Sequence, residues 1–390
     1  MRLLIHALGA SAGGGLTYLR NTIAHLAARP DVDVSVLAGR AAAAAIPSGS
    51  NVQFLTSPTE EKRSLSRFLW EQREIPKLAR KTGADVLLSA GNFAVWNSSV
   101  PQILLSRNSL YTSADFSRDL LNRRDYRLWA DTRVKAILAR KSIQRAQVTV
   151  APSEAFAREL RAWSGHQVVA LHHGFDRDFF LRDGMALPLS VSQKLKDTEG
   201  CVRLLFVSHY NYYRNFETLL RAVARLKQRG LSKRILLVLT CELAPAKNPG
   251  SYRTTMASAL LRELDIEREV VQLGSIPYPL LHHIYRSCDI YVTPAYTETF
   301  AHPIVEAMSS GLPVVASDLE VHREISGGAA LFFEKFSPED LANKVMQLLE
   351  SSALQSELRE KGLRQSTTFS WKDHVERLLE MAKGITGTSP

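Results

Sequence analysis

The stretch TETFAHPIVEAMSSGLPVVAS, Thr297 to Ser317, decides how the rest of the chain is read. It follows a short β-branched run, Ile290 to Thr293, which places Glu298 near the carboxyl end of a strand. Pro303 suits the first turn of a helix, where its missing N–H costs nothing and its fixed φ helps. Gly311 suits the position just past a helix end, and Pro313 stops any continuation. The spacing predicts a short helix over Ile304 to Ser310, with Glu306 in its first turns and Glu298 on the loop before it. Eight residues apart across a helix boundary, the two acids are no i,i+4 pair and are placed to touch different parts of one elongated ligand. A helix N-terminus at a sheet edge carries unpaired N–H groups and a partial positive charge, which suits a phosphate or diphosphate. The plainer alternative is that Glu306 complements the helix dipole while Glu298 caps the helix.

Working outward, the same strand and helix rhythm runs on both sides. Before it come strand Arg203 to Val207, helix Phe216 to Arg229, strand Ile235 to Thr240, helix Ser251 to Leu264, strand Val270 to Leu273 and helix Pro279 to Ser287. After it come strands Pro313 to Ala316 and Ala330 to Phe333. The first half repeats the pattern with strands at Arg2 to Leu8, Val32 to Ala38, Asp85 to Ala90, Gln102 to Ser106, Gln147 to Ala151 and Val168 to His172. Leu16, Leu19, Ile23 and Leu26 lie at helical spacing between the first two. Strands alternating with helices make a parallel sheet covered on both faces. A length of 390 residues exceeds the usual reach of one hydrophobic core, so two such units are expected. The expected organisation is a Rossmann-like domain over 1–180, a linker over 181–200 rich in Gly, Pro, Ser and charge, a second Rossmann-like domain over 201–368, and a C-terminal helical segment over 369–390. Open sheets bind ligands at their carboxyl ends, so two facing units make a cleft between them.

Composition narrows the class. Three widely spaced cysteines, Cys201, Cys241 and Cys288, indicate neither a disulfide framework nor a zinc site and fit a reducing cytoplasm. The N-terminal MRLLIHALGASAGGGL imitates a signal peptide, but His6 interrupts a short apolar run, and a first strand with a glycine loop fits better. No run of about 18 apolar residues exists to span a membrane. The net charge of +10 is concentrated early: residues 1–185 carry 25 Lys and Arg against 16 Asp and Glu, and the rest carry 24 against 23. Phe116 to Gln147 reads as a long basic helix with interleaved apolar residues. It suits peripheral contact with an anionic membrane or a phosphorylated acceptor, or equally a solvated helix with a core-facing stripe.

The opening stretch resembles the E-x7-E signature of retaining GT-B glycosyltransferases of the family 4 type. Glu298-Thr299-Phe300-Ala301-His302-Pro303, Glu306-Ala307-Met308 and Gly311 to Ser317 stand at the places of E-G-F-G-L-P-x-x-E-A-M-A-x-G-x-P-V-V. The resemblance implies that Glu298 contacts the transferred sugar, Glu306 holds the ribose hydroxyls, and the amides of Thr299, Phe300 and Ala301 meet the diphosphate. Phe206-Val207-Ser208-His209 and Arg214-Asn215-Phe216 resemble the region where the family places an Arg and a Lys on the diphosphate. Arg214 takes the Lys position and can clamp a phosphate bidentately, while His209 stands where the Arg usually is. Gly13-Gly14-Gly15 resembles the loop that closes over the donor phosphates, with Gly14 and Gly15 as backbone donors. His172 to Asp176 resembles the family's junction before the linker, and Phe369-Ser370-Trp371 its terminal helix crossing back to the first domain. Many relatives carry a histidine after the strand Gln102 to Ser106. This chain has Arg107 and Asn108, candidates for the sugar or acceptor side or for a structural role.

The resemblance implies a GT-B fold and a retaining, metal-independent glycosyltransferase without a cofactor. It would move a sugar from a nucleotide-diphosphate sugar to a glycan or lipid-linked acceptor in cell-surface polysaccharide assembly, in the cytoplasm or peripherally on the inner face of the membrane, with no nucleic-acid partner. The first domain would bind the acceptor and the second the donor. Asp31-Val32-Asp33 and Asp176-Arg177-Asp178 imitate a metal-binding DxD, but the first begins an alternating strand and the second sits near the linker, so neither is assigned a metal. Two other readings use the same paired sheets: a nucleotide-sugar epimerase, and a non-catalytic nucleotide-sugar binding module. A nicotinamide oxidoreductase is disfavoured because G-x-G-x-x-G is not met and the second strand ends without a ribose-binding acid.

Overall fold

Short apolar runs become parallel strands throughout the computed structural model, which describes residues 1–9, 13–46, 49–57, 64–250 and 252–387. In chain order the first elements are β1 (Arg2–His6), α1 (Gly13–Ala27), β2 (Asp33–Leu37), α2 (Arg40–Ala45), β3 (Val52–Leu55), α3 (Ser64–Thr82), β4 (Val86–Ser89) and β5 (Gln102–Leu105). Then come α4 (Ala114–Asn122), α5 (Tyr126–Ile143), β6 (Val148–Ala151), α6 (Glu154–Ser164), β7 (Val169–Ala170), α7 (Arg177–Phe180) and α8 (Leu189–Lys196). The second half holds β8 (Val202–Phe206), α9 (Phe216–Gln228), β9 (Ile235–Leu239), α10 (Thr255–Glu263), β10 (Val270–Gln272), α11 (Leu281–Arg286) and β11 (Ile290–Thr293). It ends with α12 (His302–Ser309), β12 (Val314–Ser317), α13 (Glu320–Ser326), β13 (Ala330–Phe333), α14 (Pro338–Leu349), α15 (Ser352–Ser366) and α16 (Trp371–Thr386).

These elements sort into two units. Unit 1 holds Met1–Ser113, Arg123–Gly174 and Ser370–Pro390, and unit 2 holds Ala114–Asn122 and Phe175–Phe369. Unit 1 carries a seven-stranded sheet in the order β3-β2-β1-β4-β5-β6-β7, and unit 2 a six-stranded sheet in the order β10-β9-β8-β11-β12-β13. Every strand pair is parallel. Helices on both faces explain why β4, β5, β9, β11 and β12 are buried along their whole length and are apolar but for single polar residues at their ends, Ser89, Gln102, Thr293 and Ser317.

In unit 1, Leu19, Ile23 and Leu26 of α1 share a core with Trp371, Val375, Leu378 and Leu379 of α16. The close approach needs Gly174: a Cβ there would stand 2.1 Å from the backbone nitrogen of Trp371. Ser370 caps α16 by accepting from the Asp373 N–H at 3.1 Å, and His374 donates from Nδ1 to the His172 carbonyl at 2.8 Å.

Several expectations need correction. Residues 116–147 are not one helix: Arg124 adopts a positive φ of 53°, and the break leaves α4 with unit 2 and α5 with unit 1. The stretch 181–200 lies inside unit 2 and contains α8, and the passage into the main body of unit 2 lies at Gly174/Phe175. Strand β3 and helices α13, α14 and α15 were not anticipated.

Candidate functional site

In unit 2 the strand order reverses between β8 and β11, the place where open α/β sheets bind their ligands. The segment after β8 carries Ser208, His209 and Arg214, and the segment after β11 carries Glu298 to Ala301 and runs into α12. Three hydrogen bonds fix the second segment. The Tyr296 N–H donates to the Tyr213 carbonyl at 3.0 Å, the Asn215 side chain donates to the Pro294 carbonyl at 3.1 Å, and the Ser317 hydroxyl donates to the Ala295 carbonyl. Asn215 and Ala301 both sit in the left-handed region, at φ 54° and 63°. Non-glycine residues held there mark a backbone set by its surroundings.

Arg214 and Glu298, 84 residues apart, form an ion pair with Nη1 2.5 Å from Oε2. Their side chains are 18% and 11% exposed, so the pair is largely withdrawn from water. The second Glu298 oxygen accepts from the Thr299 N–H at 3.1 Å. Burial opposes charge on both groups, but the partnership prevails: Glu298 is held below the usual carboxylate range and Arg214 above its usual value. Arg214 Nε is buried without a partner, so the guanidinium has donor capacity left over. Its carbon also lies 5.1 Å from the centre of the Tyr213 ring.

Helix α12 starts at His302 with Pro303 in its first turn and no side chain capping its N-terminus. Glu298 is therefore not the cap, and the capping alternative falls. At the far end the Gly311 N–H bonds to the Met308 carbonyl and the Leu312 N–H to the Ala307 carbonyl, both at 3.0 Å, with Gly311 at φ 75°. That paired closure is why Gly311 ends the helix. Glu306 is buried on α12 and accepts the Tyr285 hydroxyl at 2.8 Å. Burial pushes its carboxyl up to about 7, partly offset by the tyrosine. It is thus a carboxylate on the edge of ionisation, where added hydroxyl donors favour the charged form.

The remaining unit 2 residues fall around this pair. The Ser208 N–H donates to the Thr240 hydroxyl at 3.1 Å, and its own hydroxyl to the His209 carbonyl at 2.7 Å. His209 is exposed overall, and the partial burial of its ring, followed by the Arg214 charge, holds its imidazole below the usual pKa. Phe300 is buried, with its ring 5.3 Å from Phe369 and 4.7 Å from His302. It is a packing residue whose backbone, with those of Thr299 and Ala301, leads into the α12 N-terminus.

In unit 1, Gly14 and Gly15 lie in the first turn of α1 rather than on a separate loop; the preceding residues 10–12 lie outside the described residues. Arg107 donates to the Ala90 carbonyl at 2.6 Å and lies 4.7 Å from the Tyr18 ring centre. Asn108 caps the turn Ser109–Tyr111 by accepting from the Leu110 N–H at 3.0 Å. Both side chains help hold the segment after β5.

Sequence reasoning missed Tyr285, the partner of Glu306, and His322, whose Nδ1–H donates to the Ser317 carbonyl at 2.8 Å while Nε2 is buried without a partner. It also missed His6 and Glu71, a buried pair at 3.2 Å on β1 and α3. Tyr285, His6 and Glu71 are defined by neighbours remote in sequence, and His322 by the end of the strand five residues before it. Asp183, His282 and His283 bring possible ligand atoms within 4.8 Å of one another. Arg286 already holds the same Asp183 oxygen that His282 contacts, at 3.2 Å against 3.1 Å. A resident cation on that carboxylate makes the cluster an ion-pair clasp onto α11.

Two family models match in tandem: "Glycosyltransferase Family 4" over residues 12–179 and "Glycosyl transferases group 1" over residues 191–365. The chain belongs to the family 4 glycosyltransferases of GT-B fold. This family 4 chain is 26% identical over 249 residues to a D-inositol 3-phosphate glycosyltransferase of Corynebacterium aurimucosum, covering 62% of the chain and 58% of that protein. It is 26% identical to a probable sucrose-phosphate synthase of Citrus unshiu over 45% of the chain and 18% of that protein. The match thus spans less than two thirds of either relative. Among solved structures, the sucrose-phosphate synthase of Thermosynechococcus elongatus superposes with a TM-score of 0.77 at 16% identity, covering both chains fully. Anabaena HepE in complex with UDP-glucose gives 0.71 at 16% identity, over 98% of this chain and 100% of that one. At these identities the likeness is one of fold.

Proposed function

We propose that the family 4 chain transfers a sugar from a nucleotide-diphosphate sugar to a glycan or lipid-linked acceptor, with retention of configuration and without a catalytic metal. The Arg214–Glu298 pair at the β8/β11 switch point, beside the uncapped start of α12, carries this reading. As the sugar leaves, positive charge spreads over its ring and negative charge grows on the departing diphosphate. Arg214, with its unspent Nε–H, and the amides entering α12 stabilise that diphosphate, the task a metal ion performs in other transferases. Glu298 orients the sugar hydroxyls, and Glu306, ionising as it accepts them, grips the ribose. Unit 2 is accordingly the donor domain and unit 1 the acceptor domain. The likeness to an O-antigen chain mannosyltransferase B of Escherichia coli, 32% identical over 28% of the chain, supports a place in cell-surface polysaccharide synthesis, in the cytoplasm or at the inner face of the membrane.

Helix α5 supports the membrane contact. Among the described residues no helix is long and apolar enough to cross a membrane. On the outer face of α5, however, Tyr126, Val134 and Ile137 are exposed, at 61%, 54% and 69%. Arg127, Arg133, Arg140 and Lys141, also exposed, flank them, a pattern fitted to an anionic lipid surface.

Nucleotide release from UDP-glucose, UDP-N-acetylglucosamine, GDP-mannose and ADP-glucose tests the activity, first with water alone and then with lipid-linked acceptors. The expected result is slow release without acceptor, acceleration with one, and a product of unchanged anomeric configuration by NMR. Epimerised sugar without acceptor, or tight binding without release across the panel, contradicts the proposal.

A further inference from the structure

Helix α4 lies in sequence between β5 and α5, both in unit 1, yet it packs within unit 2. Its contacts converge on the two segments that carry the Arg214–Glu298 pair. Asp119 accepts the Tyr296 hydroxyl at 2.8 Å. Phe116 meets the Tyr213 ring edge-on, with centroids 6.4 Å apart. Asp115, one helical turn before Asp119 and on the same face, pairs with Lys335 at 2.5 Å, and the neighbouring Phe336 ring lies 5.3 Å from that of Tyr296.

Tyr213 immediately precedes Arg214, and Tyr296 lies two residues before Glu298. The Tyr296 N–H is itself bonded to the Tyr213 carbonyl. The two tyrosines therefore form a bridge beneath the ion pair, and α4 grips both ends: Phe116 through the ring on which the Arg214 guanidinium rests, and Asp119 through the Tyr296 hydroxyl.

We propose that α4 is a positioning element for the Arg214–Glu298 pair, with Asp119 setting the Glu298 segment through Tyr296. This rests on the reading of that pair as the donor site. A misplacement of a reacting group by about 1 Å is worth up to about a hundredfold in rate, and loss of one of the several bonds fixing Glu298 should give part of that.

The test compares Asp119→Ala, Asp119→Asn, Tyr296→Phe and the Asp119→Ala/Tyr296→Phe double variant. Each is measured for nucleotide release from the donors named above, and for hydrogen exchange of residues 294–301 in the free protein. Expected are about a tenfold fall in kcat for the alanine and phenylalanine variants with KM changed less than about threefold, and faster exchange at 294–301. Asp119→Asn, whose amide oxygen still accepts the hydroxyl, should keep most of the rate, and the double variant should be no worse than either single one. A merely structural role would lower the melting temperature and leave both kcat and local exchange unchanged. Wild-type kcat and exchange in Tyr296→Phe, or losses that multiply in the double variant, overturn the proposal. Arg214→Ala and Glu298→Ala run alongside: if they are inactive while Asp119→Ala and Tyr296→Phe behave as wild type, only this inference falls. If Arg214→Ala and Glu298→Ala retain full activity, the donor-site reading falls with it.

Discussion

Replacing Glu298 by alanine removes one half of a largely buried ion pair and strands the other. Taking away one partner of a fully buried pair costs about 3–5 kcal/mol, because an uncompensated charge is left inside. Here Arg214 retains 18% exposure and Glu298 11%, so the lower end, about 3 kcal/mol, applies. For a domain of this size each kcal/mol moves the melting temperature by about 2–4 °C, which places the transition of unit 2 about 6–12 °C lower. All five tryptophans, Trp70, Trp96, Trp129, Trp163 and Trp371, belong to unit 1. Circular dichroism therefore follows both units while tryptophan emission follows unit 1, and the loss should appear in the first signal and much less in the second. A nucleoside diphosphate without its sugar should then stabilise Glu298→Ala more than wild type, since its phosphates take over the vacated guanidinium without competing for it. The reasoning is refuted if Glu298→Ala melts with wild type, or if UDP, GDP and ADP all raise its melting temperature by no more than they raise that of wild type.

Glu306 ties stability to pH. Its folded pKa, raised to about 7 by burial from an ordinary value of 4.5, makes its contribution complete below pH 4.5 and lost as pH rises through 7. That amounts to about 3 kcal/mol over the interval. Glu306→Gln should flatten that slope and exceed wild type in stability at pH 8, checked by denaturant titration across pH; an unchanged slope contradicts it. Gly174→Ala drives a methyl group into the Trp371 backbone and should cost about 3 kcal/mol or more, read from the tryptophan transition. Ala301→Gly relieves a left-handed φ of 63° and should add up to about 1 kcal/mol, the left-handed penalty less the entropy that glycine loses on folding, measured by chemical denaturation.

The parts of the fold legible in the sequence are those written in local signals. Pro303 and Gly311 bracket α12 to within two residues at its start and one at its end, because each acts on backbone geometry within its own turn. The fully buried strands β9, β11 and β12 announce themselves as runs apolar up to at most a final Thr or Ser. What stayed hidden depends on distant partners. Arg214 was read as a phosphate clamp and Glu298 as a sugar ligand, but no spacing rule joins residues 84 apart into a pair. The bond from Asp119 to Tyr296 crosses 177 residues; it joins α4 to unit 2, while the positive φ of Arg124 separates α4 from α5. The short β3 contains a polar Gln53 and only partly buried neighbours, so it lacked the apolar run that marked the others.

Titration of UDP, GDP and ADP into wild type and Arg214→Ala by calorimetry tests most directly whether a diphosphate is seated at the start of α12. Wild type should bind at least one of the three, and Arg214→Ala should bind it about 30- to 1000-fold more weakly, the loss of about 2–4 kcal/mol expected for one preorganised anion donor. Equal affinities for the two proteins would contradict the account.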